Sequence, residues 1–156
     1  MGHDCPMKSV VALLLLFSPG TAEARADQSP PVAIAYEEVG PWGTYRLTWR
    51  VEASGAGVYE QSGPAPGQLE EAAIHIDPVE LARLHDLLRL LDGAQQIPCP
   101  DAITDQAFGF LSWTRAGQTT TYVLDRGCES EGSRADAERI DRAIAIVRPR
   151  ATGSRP

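Results

Sequence analysis

The chain contains no asparagine and a single lysine, Lys8, among its 156 residues. Without asparagine there is no acceptor for N-glycosylation. With the only lysine so close to the N-terminus, the rest of the chain can form neither a lysine Schiff base nor a P-loop phosphate site. These absences remove two widespread kinds of enzyme site before any motif is considered.

Basic residues of any kind are outnumbered by acidic ones. From Asp27 to the C-terminus there are 12 arginines, no lysine and 19 acidic residues, a formal charge of −7. The arginines are scattered, whereas contact with phosphate groups needs a concentrated basic patch. We therefore expect no nucleic-acid partner, and the negative charge favours solubility.

Long apolar runs are also lacking, apart from one at the N-terminus. Lys8 precedes the apolar run 9–17, which is followed by Pro19-Gly20 and by the small-residue triplets 22–24 and 24–26. This order is typical of a secretory signal peptide, and the run is too short to span a bilayer. We expect a signal peptide over residues 1–26, cleaved after Ala26 or alternatively after Ala24, with Met1 or Met7 as the start.

The remainder should be exported, to the periplasm or beyond the cell, with no integral membrane segment in the mature chain. A buried helix or a short anchor is the alternative for the apolar run. Cys5 precedes this run and would leave with the signal peptide, so we expect no lipid anchor on it.

The mature chain has only two cysteines, Cys99 and Cys128. In an oxidising compartment an even pair is most simply a disulfide, which would close a loop of about 30 residues. Two free thiols, or a catalytic or metal-binding role, are the alternatives. A zinc site needs about four ligands, and His75 and His85 do not stand at a ligand spacing, so we expect no metal.

Common catalytic motifs are missing from the sequence. It has no G-x-S-x-G elbow, H-E-x-x-H, C-x-x-C or Gly-rich phosphate loop. We therefore expect no catalytic residue and no cofactor. The enzymatic alternative would pair His75 or His85 with Asp101 or Asp105 for acid–base chemistry. Residues 37–38 and 70–71, two pairs of glutamates, are interpreted as solvated.

Alternation and helical spacing predict one α+β domain over residues 32–148. The predicted order is β-β-β-α-β-β-α, a mainly antiparallel sheet with two helices packed on one face. Strands are predicted at 32–39, 44–52, 58–61, 107–115 and 119–125, with a short extended piece at 71–76. Helices are predicted at 77–93, capped by Asp77, and at 133–147, capped by Ser133. Residues 27–31 should be a mobile lead-in, and residues 149–156 a disordered tail.

The turn 40–43 contains the tryptophan that is hardest to assign to a core. Trp42 lies between Pro41 and Gly43, and an aromatic side chain on a rigid turn is typical of residues that anchor protein interfaces. The alternative is that Trp42 folds back over the sheet. Trp49 shares the apolar face of the strand 44–52 and should be core.

The order of these elements, with the hairpin sequence "WTRAGQTTTY", resembles the emfourin family, small bacterial inhibitors of thermolysin-like metallopeptidases. It also resembles secreted bacterial domains without an assigned function. The likeness spans most of residues 32–148 and implies an α+β domain that binds a peptidase. The cysteine pair and the insertion at 52–68 depart from the emfourin pattern, so no functional residue is carried over from it.

Together these features predict an exported, non-catalytic domain that binds a protein partner, with an exported peptidase as one such partner. Pro41, Trp42 and Gly43 are its candidate interface. The alternative is a ligand-binding or envelope-structural module, which would require a cavity between sheet and helices lined by Tyr45, Trp49 and Phe110.

Overall fold

The computed structural model describes residues 31, 33–63, 69–99 and 105–149. The predicted signal peptide and most of the predicted lead-in and tail lie outside these residues. Asp101, one of the candidate acid–base groups, also lies outside them.

Six strands and two α-helices make up the domain. The strands are β1 (Ala33–Val39), β2 (Arg46–Glu52), β3 (Ala56–Ser62), β4 (Leu69–His75), β5 (Phe108–Arg115) and β6 (Gln118–Asp125). The helices are α1 (Pro78–Leu88), between β4 and β5, and α2 (Glu131–Val147), after β6. The α+β class is confirmed, with one strand more than predicted, because residues 71–75 of the predicted extended piece belong to the full strand β4.

All strands pair in one antiparallel sheet, in the order β4-β3-β2-β1-β5-β6. The β-α-β connection through α1 creates no parallel pair of neighbouring strands. Helix α1 carries the chain from the edge strand β4 past three strands, and β5 then enters antiparallel to β1.

One face of this sheet packs on both helices. In β2 the burial alternates as the sequence predicts, with Leu47, Trp49 and Val51 buried. They join one cluster with inward residues of the other strands and of both helices. This core cluster also includes Ile34, Tyr36, Tyr59, Leu111, Trp113, Tyr122, Leu124, Leu84, Leu88, Ile140, Ala143, Ile144 and Val147. The opposite face of the sheet has no helix over it among the described residues.

The helix boundaries differ from the predicted ones at two ends. Asp77 caps α1 as expected, accepting from the N–H groups of Val79 and Glu80 at 2.9 and 3.1 Å. However, α1 ends at Leu88, and the chain continues to Gly93 as turns. Ser133 was predicted to cap α2, and this is wrong. Ser130 is the cap, and Ser133 is buried inside the helix, with its N–H donating to the Ser130 hydroxyl at 3.2 Å.

No helix within the described part of the chain is long and apolar enough to cross a membrane.

Candidate functional site

The turn that joins β1 to β2 is closed by three backbone hydrogen bonds. The Gly40 N–H donates to the Tyr45 carbonyl at 2.9 Å and continues the ladder beyond both strand ends. The Gly43 N–H donates to Gly40 and the Thr44 N–H to Pro41, each at 3.0 Å. These bonds make residues 40–45 an ordered extension of the hairpin, referred to below as the Trp42 turn.

Trp42 lies at the tip of this turn in an unusual conformation. Its backbone has φ 56° and ψ 20°, in the left-handed region, and its side chain is 87% exposed. The alternative in which Trp42 folds back over the sheet is therefore not adopted. Gly43 has φ 70°, and two successive positive φ angles are typical of the turns that match the twist of antiparallel strands.

Neither feature of Trp42 is explained by stability. A left-handed conformation costs a residue with a Cβ about 1–2 kcal/mol, and glycine or asparagine would occupy the position more cheaply. Full exposure means that the indole contributes little burial energy to the fold. The turn therefore presents a large aromatic side chain to solvent at a cost to the domain.

Behind the Trp42 turn lies a group of polar side chains around the buried carboxylate of Glu38, which we call the Glu38 cluster: Glu38, Tyr36, Tyr45, Arg126 and Asp141. Glu38 is only 6% exposed, so its prediction as a solvated residue is wrong. Alternation along β1 explains its burial, because Glu38 shares the inward face with Ile34 and Tyr36. Its neighbour Glu37 points to the other face and pairs there with Arg46 at 2.7 Å.

Four donor groups of the cluster converge on the Glu38 carboxylate. The Tyr45 hydroxyl donates to Oε1 at 2.6 Å, and the Tyr36 hydroxyl donates to Oε2. Two nitrogens of Arg126, Nε and Nη2, donate to Oε2 at 3.0 and 2.7 Å. The same Nη2 donates to Asp141 on α2 at 2.7 Å. The cluster therefore joins β1, the start of β2, the end of β6 and α2.

Two glycines make room for the tyrosine rings of the cluster. A Cβ at Gly109 on β5 would overlap the Tyr36 hydroxyl, and a Cβ at Gly40 would overlap the ring of Tyr45. Both rings thus cross the backbone where only glycine leaves space. Because Gly40 also begins the Trp42 turn, the contact with Tyr45 fixes the base of that turn.

The charge state of the cluster follows from its contacts. Burial alone would raise the pKa of Glu38, but the hydrogen bonds from Tyr36, Tyr45 and Arg126 and the positive charge of Arg126 outweigh burial, so its pKa lies below the usual value. Burial and the bond to Glu38 raise the pKa of Tyr45 to about 12, and for the same reasons the pKa of Tyr36 is raised. At neutral pH, Glu38 and Arg126 therefore form an ion pair beside two neutral phenols.

Arg126 follows β6 directly, and three contacts hold residues 125–128 in place. Its N–H donates to the Ala107 carbonyl at 3.0 Å, and the Cys128 N–H donates to the Asp125 carbonyl at 3.2 Å. Two residues after Arg126, the Cys128 sulfur lies at disulfide distance from Cys99, with the Cα atoms 5.6 Å apart. The cysteine pair therefore ties the loop after α1 to the segment that positions the arginine.

A shallow depression of about 420 Å³ lies beside the cluster, bordered by Tyr45, Arg126, Asp141 and Arg148 among others. Its cations already have partners, since Arg126 binds two carboxylates and Arg148 donates to the Tyr59 hydroxyl at 3.1 Å. Phenols that stay protonated and an ionised carboxylate form no nucleophile–base pair. The arrangement is suited to bracing the hairpin.

The candidate acid–base residues do not form a group among the described residues. His75 is exposed at the end of β4, in the register of Ala56 near the β2–β3 turn. Asp105 precedes β5 at the opposite end of the sheet. Along the strand direction alone it is about 20 Å from His75, since each of the six or so intervening strand residues adds about 3.3 Å, and three strands also lie between β4 and β5. His85 is half-buried in α1, and burial together with the charge of Arg115 lowers its pKa.

The residues of the alternative ligand cavity do not line one cavity between sheet and helices, although Trp49 and Phe110 both border a shallow depression of about 520 Å³ on the sheet face without a helix. Trp49 is buried in the core between sheet and helices, whereas the Phe110 side chain is on the opposite face of the sheet, two-fifths exposed. Tyr45 belongs to the Glu38 cluster. Within the described residues, no group of three or more histidine, cysteine or acidic side chains is placed to hold a metal ion.

The cluster was not predicted from the sequence, although a signal for part of it exists. The parity of Ile34, Tyr36 and Glu38 along β1 places the carboxylate inside, and a buried carboxylate requires a cation. No local pattern identifies Arg126 as that cation, since 88 residues separate the two.

A comparison with known protein families found no family model that matches the chain, and a comparison with curated proteins found no match. The resemblance to emfourins stays a prediction.

Proposed function

We propose that the chain is an exported, non-catalytic domain that binds another protein through the Trp42 turn, with Pro41, Trp42 and Gly43 as the contact. The observation that carries this proposal is the full exposure of Trp42 in a left-handed conformation. Tryptophan is among the residues that most often dominate the binding energy of protein interfaces. Because the exposed, left-handed Trp42 lowers the stability of the fold, a role in recognising a partner is favoured over a structural role.

Rigidity of the turn supports the same proposal. Binding is weakened by the entropy of ordering loops and side chains at an interface. The hydrogen bonds of residues 40–45 and the Tyr45–Glu38 contact hold the turn in one conformation before any partner arrives. A preformed turn of this kind loses less entropy on binding than a flexible loop.

Export is supported by the N-terminal pattern and by the cysteine pair, since disulfides persist mainly in oxidising compartments. An exported peptidase is the partner class that the emfourin resemblance implies. We therefore place the domain outside the cytoplasm, in the periplasm or beyond it, where it would meet such a peptidase.

The first experiment is an inhibition titration of the oxidised protein against a thermolysin-like metallopeptidase, with a serine peptidase as control. Stoichiometric inhibition of the metallopeptidase alone would establish the inhibitor function. If neither enzyme is inhibited, the peptidase assignment fails for these targets, and immobilised protein is used to capture its partner from the exported proteins of the source organism.

Two variants then test the site. Trp42→Gly removes the indole and relieves the backbone, so we expect binding to be lost while stability rises by about 1 kcal/mol. Val79→Ala is the matched control, because Val79 is also a large exposed apolar residue but lies at the start of α1, near the other end of the sheet. Unchanged binding by the Trp42→Gly protein would show that the Trp42 turn is not the contact.

A further inference from the structure

The two edges of the sheet differ in how they are protected against pairing with another strand. Exposed edges are usually blunted by charged residues, proline, bulges or short length. The edge strand β4 carries Glu70 and Glu71 in its seven residues. The other edge strand, β6, has eight residues with no proline, and none of residues 118–124 is charged. Its eight pairs with β5 run in continuous register without a bulge.

The free hydrogen-bonding groups of β6 can be assigned from its pairing with β5. Ala116 and Gly117 form a two-residue turn with positive φ angles of 45° and 80°, and Arg115 pairs with Gln118 across it. In such hairpins the flanking pair is hydrogen-bonded, and bonded pairs alternate from there. The hydrogen bond from the Arg126 N–H to the Ala107 carbonyl agrees with this alternation, because Arg126, like Gln118, is an even-numbered residue bonded to the β5 side.

Odd-numbered residues of β6 therefore direct their backbone groups away from β5. Thr119, Thr121 and Val123 present a row of N–H and C=O groups that have no hydrogen-bond partner among the described residues. Their side chains lie on the sheet face that has no helix over it, in the same rows as Thr114, Ser112 and Phe110 of β5.

We propose that β6 is a self-association edge, at which two copies of this chain pair their β6 strands antiparallel about a two-fold axis and form one continuous sheet of twelve strands. The axis passes between the two copies of Thr121, so that Thr119 of each copy lies opposite Val123 of the other. This register brings the outward-facing rows of both strands into contact along their length.

Charge favours a second copy at β6 over one at β4. The chain is strongly acidic, so two copies repel each other unless they meet where acids are absent. On the sheet face without a helix, pairing of β6 with itself brings together only the hydroxyl and aliphatic side chains of Thr119, Thr121 and Val123. Pairing of β4 with itself would bring Glu70 and Glu71 of both copies close together, and like charges on paired strands are destabilising.

Sedimentation analysis over a wide concentration range tests the proposal on the oxidised, exported protein. We expect a reversible dimer that is lost in Thr121→Lys, because the two lysines would face each other across the axis. Ala73→Lys is the matched control, since Ala73 is exposed in the same row of the sheet but on β4. A protein that stays monomeric throughout, or a Thr121→Lys variant that dimerises like the parent, would overturn the proposal.

A crosslink tests the register separately from the affinity. Cα atoms of a hydrogen-bonded antiparallel pair lie about 5.5 Å apart, within the range of a disulfide. Thr121→Cys should therefore form a covalent dimer on mild oxidation, and Ala73→Cys should not. Equal crosslinking of the two variants would indicate random collision and would count against the two-fold register.

Discussion

Replacement of Glu38 by glutamine tests whether the Glu38 cluster holds the hairpin to the rest of the domain. The substitution keeps the shape of the side chain and removes its charge. It also replaces one accepting oxygen by an amide group that itself donates, so at least one of the donors from Tyr36, Tyr45 and Arg126 loses its acceptor. Of the two carboxylates that pair with Arg126, only that of Asp141 then remains, and Asp141 is largely exposed.

The expected cost can be bounded from these contacts. Removal of one partner of a buried ion pair typically costs 3–5 kcal/mol, and a hydrogen bond to a charged group contributes about 1.5–3 kcal/mol. Because Asp141 still compensates part of the Arg126 charge, we expect about 3 kcal/mol at neutral pH. For a domain of this size that corresponds to a fall in Tm of roughly 10 °C.

The adjacent residue supplies a matched control. Glu37→Gln makes the same chemical change one position away, on the opposite face of β1, where the ion pair with Arg46 is well exposed on both sides. Exposed ion pairs contribute about 0–1 kcal/mol. Urea unfolding of the parent and both variants, monitored by tryptophan fluorescence, gives the two costs. A Glu38→Gln cost no larger than that of Glu37→Gln would refute the reasoning.

The pH dependence gives a second check on the same variant. The pKa of Glu38 is lower in the folded than in the unfolded chain, so its charge stabilises the fold at pH values above the unfolded pKa of about 4.3. This contribution declines as the pH falls through the folded pKa. The difference in unfolding free energy between the parent and Glu38→Gln should therefore shrink in acid, and a constant difference would contradict the assignment.

Two further predictions concern the supports of the cluster. Replacing Cys99 and Cys128 together by serine should lower the unfolding free energy by roughly 3–4 kcal/mol, the loop-entropy value for a separation of 29 residues; an unchanged urea midpoint under oxidising conditions would contradict the crosslink. Gly109→Ala should cost about 2 kcal/mol by overpacking, because the added methyl group overlaps the Tyr36 hydroxyl. The cost should be smaller when measured in a Tyr36→Phe background, and an equal cost there would place the clash elsewhere.

Much of the fold could be predicted because its signals are local. The alternation of residues 45–52 predicts the buried face of β2, including Trp49, and that face is confirmed. Asp77 before Pro78 predicts the start of α1, which is also confirmed. Both signals depend on periodicity or capping within a few residues, where tertiary context has little influence.

The missed features depend on tertiary context. β4 was predicted only as a short extended piece, because glutamate and alanine are poor strand formers in isolation. Its pairing with β3 stabilises the strand despite this low intrinsic propensity. The start of α2 was placed at Ser133, whereas Ser130 caps the helix. Since the choice between two serines depends on how the loop after β6 enters the helix, the sequence does not decide it.

The candidate site also has one part that local sequence signals predict and one part that depends on tertiary context. The turn around Trp42 was predicted because proline and glycine mark turns, whereas the sequence left its side chain either exposed or folded back over the sheet. Whether Trp42 folds back depends on its left-handed φ angle, which no rule based on residue type predicts for tryptophan. The partner of Glu38 lies 88 residues away and emerges only when β6 is placed beside β5.

Two features that do not favour stability occur in one hairpin. A buried ion pair is often no more stable than an apolar replacement of equal volume, and a left-handed exposed tryptophan is less stable than glycine. The first lies at the base of the Trp42 turn and the second at its tip, and Gly40 and Tyr45 connect them. Proteins depart from local rules mainly where function requires it, so the joint occurrence of both departures at 36–45 favours this hairpin over the histidines as the functional part of the domain.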